Sequence, residues 1–128
     1  MTQDLGFAYW FVKLPVRDLA AMEGFYTRAL GLEVRDRMAT PDFQEILMGL
    51  PGEEKLVILI HYLQRRDRDV NGGTLGFLTK DIDAARAHLI ACGGTASGEI
   101  IDLGFVKVCL VDDPEGNEIE LIQRRAPA

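Results

Sequence analysis

A strand end, a capped helix and the start of a second strand follow one another in Leu14-Pro-Val-Arg-Asp-Leu-Ala-Ala-Met-Glu-Gly-Phe-Tyr-Thr-Arg-Ala-Leu-Gly-Leu-Glu-Val34. Asp18 is a suitable N-cap, because its carboxylate can accept hydrogen bonds from the free amides of the first helical turn. Gly31 follows the last turn, where a left-handed residue is favoured. The helix in between is predicted from an apolar stripe at helical spacing, formed by Leu19, Met22, Tyr26 and Ala29.

The same pattern recurs 63 residues further along the chain without a gap, so that Asp18 returns as Asp81 and Gly31 as Gly94. The repeat extends to later pairs, among them Pro51 with Pro114, Leu56 with Ile119 and Ile58 with Leu121. A period this long that occurs twice indicates two copies of one supersecondary unit.

Each copy is predicted to have the order β-α-β-β-β. Strands are expected at 8–16, 33–38, 43–50, 55–63, 74–79, 95–100, 105–112 and 118–123. We predict one α+β domain over residues 1–128, with two pseudo-symmetric modules at about 7–64 and 73–125 and a polar linker at 65–72. The eight strands are expected to form an open, cup-shaped mixed sheet with both helices on its convex side.

Side chains of a strand alternate between its two faces, so parity assigns each residue to the helices or to the cup. In the fourth strand we expect Leu56, Ile58 and Ile60 on the helices, which turns Val57, Leu59 and His61 towards the cup. In the other strands the predicted cup residues are Phe11, Lys13, Pro15, Thr74, Gly76, Leu78, Glu118, Glu120 and Ile122.

Composition narrows the range of partners. Lys and Arg number 14 against 20 Asp and Glu, which gives a formal charge of −6 and disfavours nucleic acid and anionic membranes as partners. Cys92 and Cys109 are isolated, which is typical of buried apolar residues. The apolar run at 7–14 is short and interrupted by Lys13, so we expect neither a signal peptide nor a membrane span, and a cytoplasmic protein.

The stretch at 14–34 resembles the first module of the vicinal oxygen chelate superfamily, which includes glyoxalase I, extradiol dioxygenases and the bleomycin- and fosfomycin-resistance proteins. Tyr26 and Gly31 stand where that superfamily has its FY…LG signature, and Asp113-Pro-Glu-Gly-Asn-Glu-Ile-Glu-Leu-Ile122 is similar to its last hairpin. The resemblance covers nearly the whole chain and implies a cup of βαβββ modules. Because this scaffold hosts many reactions, the resemblance is not specific for one of them.

For catalytic members the resemblance implies a divalent metal held by His, Gln or Glu from four strands. The matching positions are Phe11, Leu59 (or Val57 at the strict offset), Thr74 and Glu120, and among them only Glu120 has a suitable side chain. We therefore predict no cofactor. The alternative is a zinc, nickel, iron or manganese ion at a shifted site formed by Glu120 and His61.

Three polar residues predicted in the cup are candidates for chemistry without a metal. Glu120 could exchange a proton, or it could be held in an ion pair with Lys13. Lys13 could bind an anionic group of a ligand, and His61 could act as a base or simply form a strand hydrogen bond. Tyr9, Trp10, Phe11, Phe43 and Phe105 could line an aromatic pocket, and Arg35 or Arg37 could meet an anionic ligand.

The leading hypothesis is a small-molecule-binding protein of the glyoxalase/bleomycin-resistance type without the metal site. Its ligand would be small and partly apolar, with walls from Phe11, Leu59, Thr74 and Leu78 and polar contacts from Lys13, His61 and Glu120. One alternative is a lyase, isomerase or dioxygenase that uses a shifted metal site, or Glu120 and His61 as acid and base. Another is a protein-interaction module that has lost the pocket. An open-sided cup also leads us to expect a homodimer.

Overall fold

The computed structural model describes residues 6, 9–63 and 74–125 of the chain, so the predicted linker at 65–72 lies outside the described residues. The first module comprises β1 (Phe11–Pro15), α1 (Leu19–Leu30), β2 (Glu33–Ala39), β3 (Phe43–Gly49) and β4 (Leu56–Tyr62). The second comprises β5 (Thr74–Leu78), α2 (Ile82–Ala91), β6 (Thr95–Asp102), β7 (Val106–Asp112) and β8 (Glu118–Arg124). The predicted order of elements is confirmed. Neither helix in these ranges has the length and apolar character needed to cross a membrane.

Both helices begin at the predicted caps. The Asp18 carboxylate accepts a hydrogen bond from the backbone N–H of Ala21 at 3.0 Å, and the Asp81 carboxylate accepts one from that of Ala84 at 3.1 Å. Gly31 ends α1 with a φ of 72°, a left-handed conformation that a residue with a Cβ adopts only at a steric cost. The two aspartate caps therefore set the start of each helix, and Gly31 sets the end of α1, whereas α2 ends at Cys92 in a right-handed conformation.

The strands form two four-stranded sheets, with the orders β1-β4-β3-β2 and β5-β8-β7-β6. In each sheet the first strand runs parallel to the last strand of its module, and the remaining neighbours are antiparallel. This is the α+β arrangement with two βαβββ modules that the sequence predicted. It leaves β1 and β5 as edge strands, each with one side unpaired within its sheet.

Each sheet has a helix face, which packs on the helices, and a distal face, which is turned away from them. The helix faces of both modules contribute to one buried core, whose members include Leu14, Tyr26, Leu59, Leu75, Leu89 and Leu121. Since paired residues of neighbouring strands lie on the same face, the pairing of Lys13 with Ile58 and of Gly76 with Glu120 defines the distal faces.

The two sheets differ by one residue in the register of their last strands. Phe11 pairs with Leu56, whereas Thr74, which lies 63 residues later, pairs with Glu118, only 62 residues after Leu56. The connection between β3 and β4 at 50–55 is one residue longer than the connection between β7 and β8 at 113–117. The ungapped repeat is therefore interrupted before β4, and this interruption reverses the faces predicted for that strand.

The modules are joined through the turn between β7 and β8. The Tyr26 hydroxyl of α1 donates a hydrogen bond to Asp113 Oδ2 at 2.9 Å, and both side chains are buried. The Glu115 carboxylate accepts hydrogen bonds from the backbone N–H groups of Arg17 at 2.7 Å and Asp18 at 2.8 Å. These contacts fix the second module on the N-terminal end of α1.

Candidate functional site

Strand β1 presents an aromatic ring and a cation side by side on the distal face. Phe11 is 38% exposed, and the Lys13 ammonium lies 5.8 Å from the centre of its ring, a distance at which the ring quadrupole attracts a cation. Trp10 contacts Phe11 edge to face, with ring centres 5.4 Å apart. Both Phe11 and Lys13 therefore lie on the face predicted for them, and both remain accessible within one chain.

Lys13 is paired with Glu45, a residue that was not among the predicted site residues. Its side chain is 5% exposed, and its Oε2 atom lies 2.7 Å from the Lys13 ammonium. Oε2 is itself buried, and the Lys13 ammonium is its charged neighbour among the described residues. Because β4 lies between β1 and β3, the Lys13 side chain crosses β4 to reach Glu45. The predicted ion pair between Lys13 and Glu120 is thus replaced by one within the first sheet.

The faces predicted for β4 are wrong. Leu59 is fully buried on the helix face, where it belongs to the main core, and it does not line the distal face. The ring Nδ1 of His61 lies 3.0 Å from the carbonyl oxygen of Val16, a geometry in which Nδ1 carries the hydrogen and donates. The distal residues of this strand are Leu56 and Ile58, together with Ile60, and all three are buried.

The second sheet carries the acidic part of the distal face. Thr74 donates a hydrogen bond through its hydroxyl to Glu118 Oε1 at 2.6 Å. Glu120 lies two residues after Glu118 on the same face of β8, opposite Gly76. It forms no hydrogen bond or ion pair with other described residues. Leu78 follows on β5 and is 58% exposed. Thr74, Leu78 and Glu120 therefore share the distal face, whereas His61 lies on the helix face of the other sheet.

A groove of about 460 Å³ runs between the edge strand of the second sheet and the β1 and β4 side of the first. Its apolar lining includes Val12, Leu50, Leu56 and Phe77, and Lys55 lies among its polar lining residues. Thr74 and Leu78 also border the groove, which brings it next to the distal face of the second sheet.

The arginine candidates serve the fold. Arg37 donates two hydrogen bonds to the Glu23 carboxylate, at 2.8 and 2.9 Å, and these lower the pKa of Glu23. Arg35 donates to the backbone oxygens of Leu50 and Glu53, which ties β2 to the connection between β3 and β4. Neither guanidinium is therefore positioned for a ligand.

The remaining aromatic candidates are dispersed. Phe105 is 73% exposed in the turn between β6 and β7, and β8 lies between β7 and β5 in the second sheet. Tyr9 and Trp10 are exposed just before β1, and Phe43 is half-buried at the start of β3. Among the five candidates, Trp10 and Phe11 are the one pair in ring contact, so the five side chains do not form an aromatic pocket.

The fold and these residues agree with a comparison against known families. A model of the Glyoxalase/Bleomycin resistance protein/Dioxygenase superfamily matches residues 10–121. The chain belongs to this superfamily. Two curated relatives, the lactoylglutathione lyases of Escherichia coli O157:H7 and Shigella flexneri, are each 28% identical over 123 residues, which cover 88% of this chain and 89% of each relative.

Solved structures share the fold of this superfamily member at lower identity. A glyoxalase family protein from Bacillus cereus superposes with a TM-score of 0.80 at 19% identity, over 98% of this chain and 99% of that one. TnmS3, an antibiotic binding protein from Streptomyces sp. CB03234, has a TM-score of 0.79 at 19% identity, over 96% and 100% of the two chains. A superfamily member from Sphaerobacter thermophilus DSM 20745 has a TM-score of 0.76 at 24% identity, over 92% and 98%.

The divalent metal implied by the superfamily does not fit the residues present. With the observed register, the distal counterpart on β4 is Leu56 or Ile58, so the four positions hold Phe11, one of these aliphatic residues, Thr74 and Glu120. A catalytic divalent ion needs about three protein donors, and this set offers one carboxylate and a neutral hydroxyl. Within the described ranges of one chain, no group of three or more His, Cys, Asp or Glu side chains is placed to hold a metal ion.

Proposed function

We propose that this superfamily member binds a small, partly apolar molecule on its distal faces, without the divalent metal of its catalytic relatives. The observation that carries the proposal is the apolar character of the positions matched to metal ligands, where Phe11 and an aliphatic residue of β4 stand in place of donors. Each sheet places an exposed apolar group near polar ones on its distal face: Phe11 lies beside Lys13, and Leu78 shares its face with Thr74 and Glu120. Such a mixture is typical of ligand pockets.

We further propose that a second copy of the chain completes the site. Each chain contributes two separate four-stranded sheets, and β1 and β5 are edge strands with exposed apolar residues beside them: Tyr9, Trp10 and Leu78. A dimer in which these edges meet would bury this surface and enclose the distal faces. Binding as a function of this fold has a precedent in TnmS3, which is an antibiotic binding protein.

Binding can be tested with chelator-treated protein and a panel of small aromatic compounds, followed by ligand-observed NMR and calorimetry. We expect Phe11→Ala and Leu78→Ala to lower the affinity for the compounds that bind the wild type. Phe105→Ala is the matched control, since it removes an exposed aromatic side chain far from β5, and it should leave binding unchanged. Loss of binding in Phe105→Ala but not in Phe11→Ala would contradict the proposed location.

An enzymatic role is the second candidate, and the similarity to the lactoylglutathione lyases favours it. In that case Glu120 would be the acid or base, since it is the carboxylate at a matched position and forms no hydrogen bond or ion pair with other described residues. Turnover of α-ketoaldehyde–thiol adducts that disappears in Glu120→Gln, with folding intact, would support this role. Binding without turnover of these adducts, catechols, epoxides or enols would leave the binding function as the better account.

A further inference from the structure

Lys13 and Glu45 form the polar centre of the first distal face. The Lys13 side chain is 42% exposed, while Glu45 beneath it is 5% exposed. A lysine ammonium has three N–H donors and only one of them can point at Glu45 Oε2. The groups offered to a ligand at this position are therefore the remaining N–H donors of Lys13, whereas Glu45 Oε2 is buried.

The electrostatic consequence is a donor without net charge. The Glu45 carboxylate, 2.7 Å away, compensates the ammonium. The charges that remain on the distal faces of β5 and β8 are Glu118 and Glu120, apart from Arg124 at the end of β8. An anionic ligand would thus gain little from the paired lysine and be repelled by the carboxylates. A cationic group at the same position would meet the positive end of the ion pair at short range, which opposes its binding even though the pair has no net charge.

The surroundings of the donor are flat and apolar. The Phe11 ring lies under the Lys13 ammonium and in edge contact with Trp10, and it remains 38% exposed. Ile58 is the register partner of Lys13 and provides a buried aliphatic base. A planar group that stacks on Phe11 would bring its own hydrogen-bond acceptor within reach of Lys13.

We propose that the Lys13–Glu45 pair is the specificity determinant of the binding site, and that it selects uncharged, planar carbonyl compounds such as aryl ketones over the corresponding carboxylates and amines. This inference rests on the proposed binding function and names the class of ligand. Lys13 donates to the ligand carbonyl oxygen, and Glu45 is a positioning residue that holds the ammonium in place and cancels its charge.

The test uses the full chain and four naphthalenes of one shape: 2-acetonaphthone, 2-naphthoate, 2-naphthylmethylamine and 2-ethylnaphthalene. Calorimetry should rank the ketone first in the wild type, about fivefold to tenfold tighter than 2-ethylnaphthalene, which is the range of one net hydrogen bond. Glu45→Gln leaves an uncompensated ammonium, so 2-naphthoate should become the tightest of the four.

Lys13→Met alone would leave a buried carboxylate unpaired, so the donor is removed in the double variant Lys13→Met/Glu45→Gln. In the double variant the ketone should bind no better than 2-ethylnaphthalene. Lys80→Met removes an exposed lysine outside the site and should behave as the wild type.

Two results would contradict the inference but not the proposed binding function. One is a wild type that binds the carboxylate or the amine most tightly, and the other is a Glu45→Gln variant with the same order of affinities as the wild type. Equal binding of all four compounds would also contradict it, while leaving the binding function in place. Failure of every naphthalene, the hydrocarbon included, to bind would count against the proposed function itself.

Discussion

Tyr26 shows how one side chain can hold two modules together. Its hydroxyl donates to Asp113 Oδ2, and the same carboxylate accepts from the backbone N–H groups of Glu115 and Asn117 and from the Asn117 amide. Burial, and then the nearby Asp113 charge, raise the pKa of Tyr26 well above its usual range. The phenol therefore stays protonated and remains a donor wherever the protein is folded.

Replacement of this tyrosine gives a direct measure of the link between the modules. Tyr26→Phe keeps the ring and removes the hydroxyl, so we expect a loss of about 1–3 kcal/mol in the free energy of unfolding at pH 7, because a buried carboxylate loses a donor. Urea denaturation followed by circular dichroism would measure it. A variant as stable as the wild type would show that the contact contributes nothing net.

The stability difference between the wild type and Tyr26→Phe should depend on pH. A tyrosine in the unfolded chain loses its proton near a pKa of about 10, whereas Tyr26 in the folded protein keeps it. The unfolded state therefore binds fewer protons above this pH, and stability must fall as pH rises, by up to about 1.4 kcal/mol per pH unit. We expect the stability advantage of the wild type over Tyr26→Phe to shrink above pH 10. A constant difference between pH 8 and pH 11 would contradict the account.

The two cysteines should differ in reactivity. Burial raises the pKa of the Cys109 thiol, which is 2% exposed, whereas Cys92 at the end of α2 is half-buried. Since the thiolate is the reactive form, we expect a thiol reagent to label Cys92 first in the folded protein and Cys109 only after unfolding. Mass spectrometry of the labelled peptides measures the order, with Cys92→Ser as the control that should leave the folded protein unlabelled.

At the scale of residues, features set by near neighbours in sequence were predicted correctly, whereas the long-range partner of Lys13 was not. The caps Asp18 and Asp81 and the position of Phe11 follow from neighbours in sequence, and all three were found as predicted. Glu45 could have been noticed as the single charged residue of β3. Its partner could not have been found, because the contact with Lys13 crosses β4 and depends on a strand order that the sequence does not contain.

At the scale of elements, the turn between β7 and β8 acts as a clasp on α1. The Glu115 carboxylate binds the backbone N–H groups of Arg17 and Asp18, which precede the helix. The sequence predicted only turn chemistry for this segment. Its long-range role was missed because the contact joins positions almost a hundred residues apart.

Removal of this carboxylate should weaken the fold. We expect Glu115→Ala to lower the free energy of unfolding by about 1–2 kcal/mol, since two charge-assisted hydrogen bonds are lost at a site open to water. Glu54→Ala is the matched control, because Glu54 is an exposed acid in the corresponding turn of the first module. Chemical denaturation of both variants checks this, and equal stability of the two would argue against the clasp.

Strand β4 explains why the faces were predicted correctly in some strands and reversed in one. At the start of β8, from Glu118 to Leu121, charged and apolar residues alternate, so its faces follow from the sequence pattern alone. In β4 the run Leu56-Val-Ile-Leu-Ile60 is buried throughout, so its pattern favours neither face. The prediction of its faces therefore depended on the repeat. That prediction was wrong because one additional residue in the turn before β4 shifts the register.

At the scale of the whole molecule, the separation of the strands into two sheets leads us to expect a dimer. Sedimentation equilibrium should give a dimer mass, and Leu78→Glu should shift it towards the monomer, because a charge would be placed on the exposed edge strand β5. Phe105→Glu places the same charge in the turn between β6 and β7, away from the edge strand β5, and should remain dimeric. A wild type that is monomeric at all concentrations would contradict the shared site.

The proposal that this protein binds its ligand without a metal is supported by the distal positions matched to metal ligands, which are poor in donor side chains. The most direct measurement is elemental analysis of the protein purified without chelator and then titrated with zinc, nickel, iron and manganese. We expect far less than one metal ion per chain and no tight uptake of any of the four. Retention of one ion per chain, whose removal abolishes ligand binding or activity, would contradict the account.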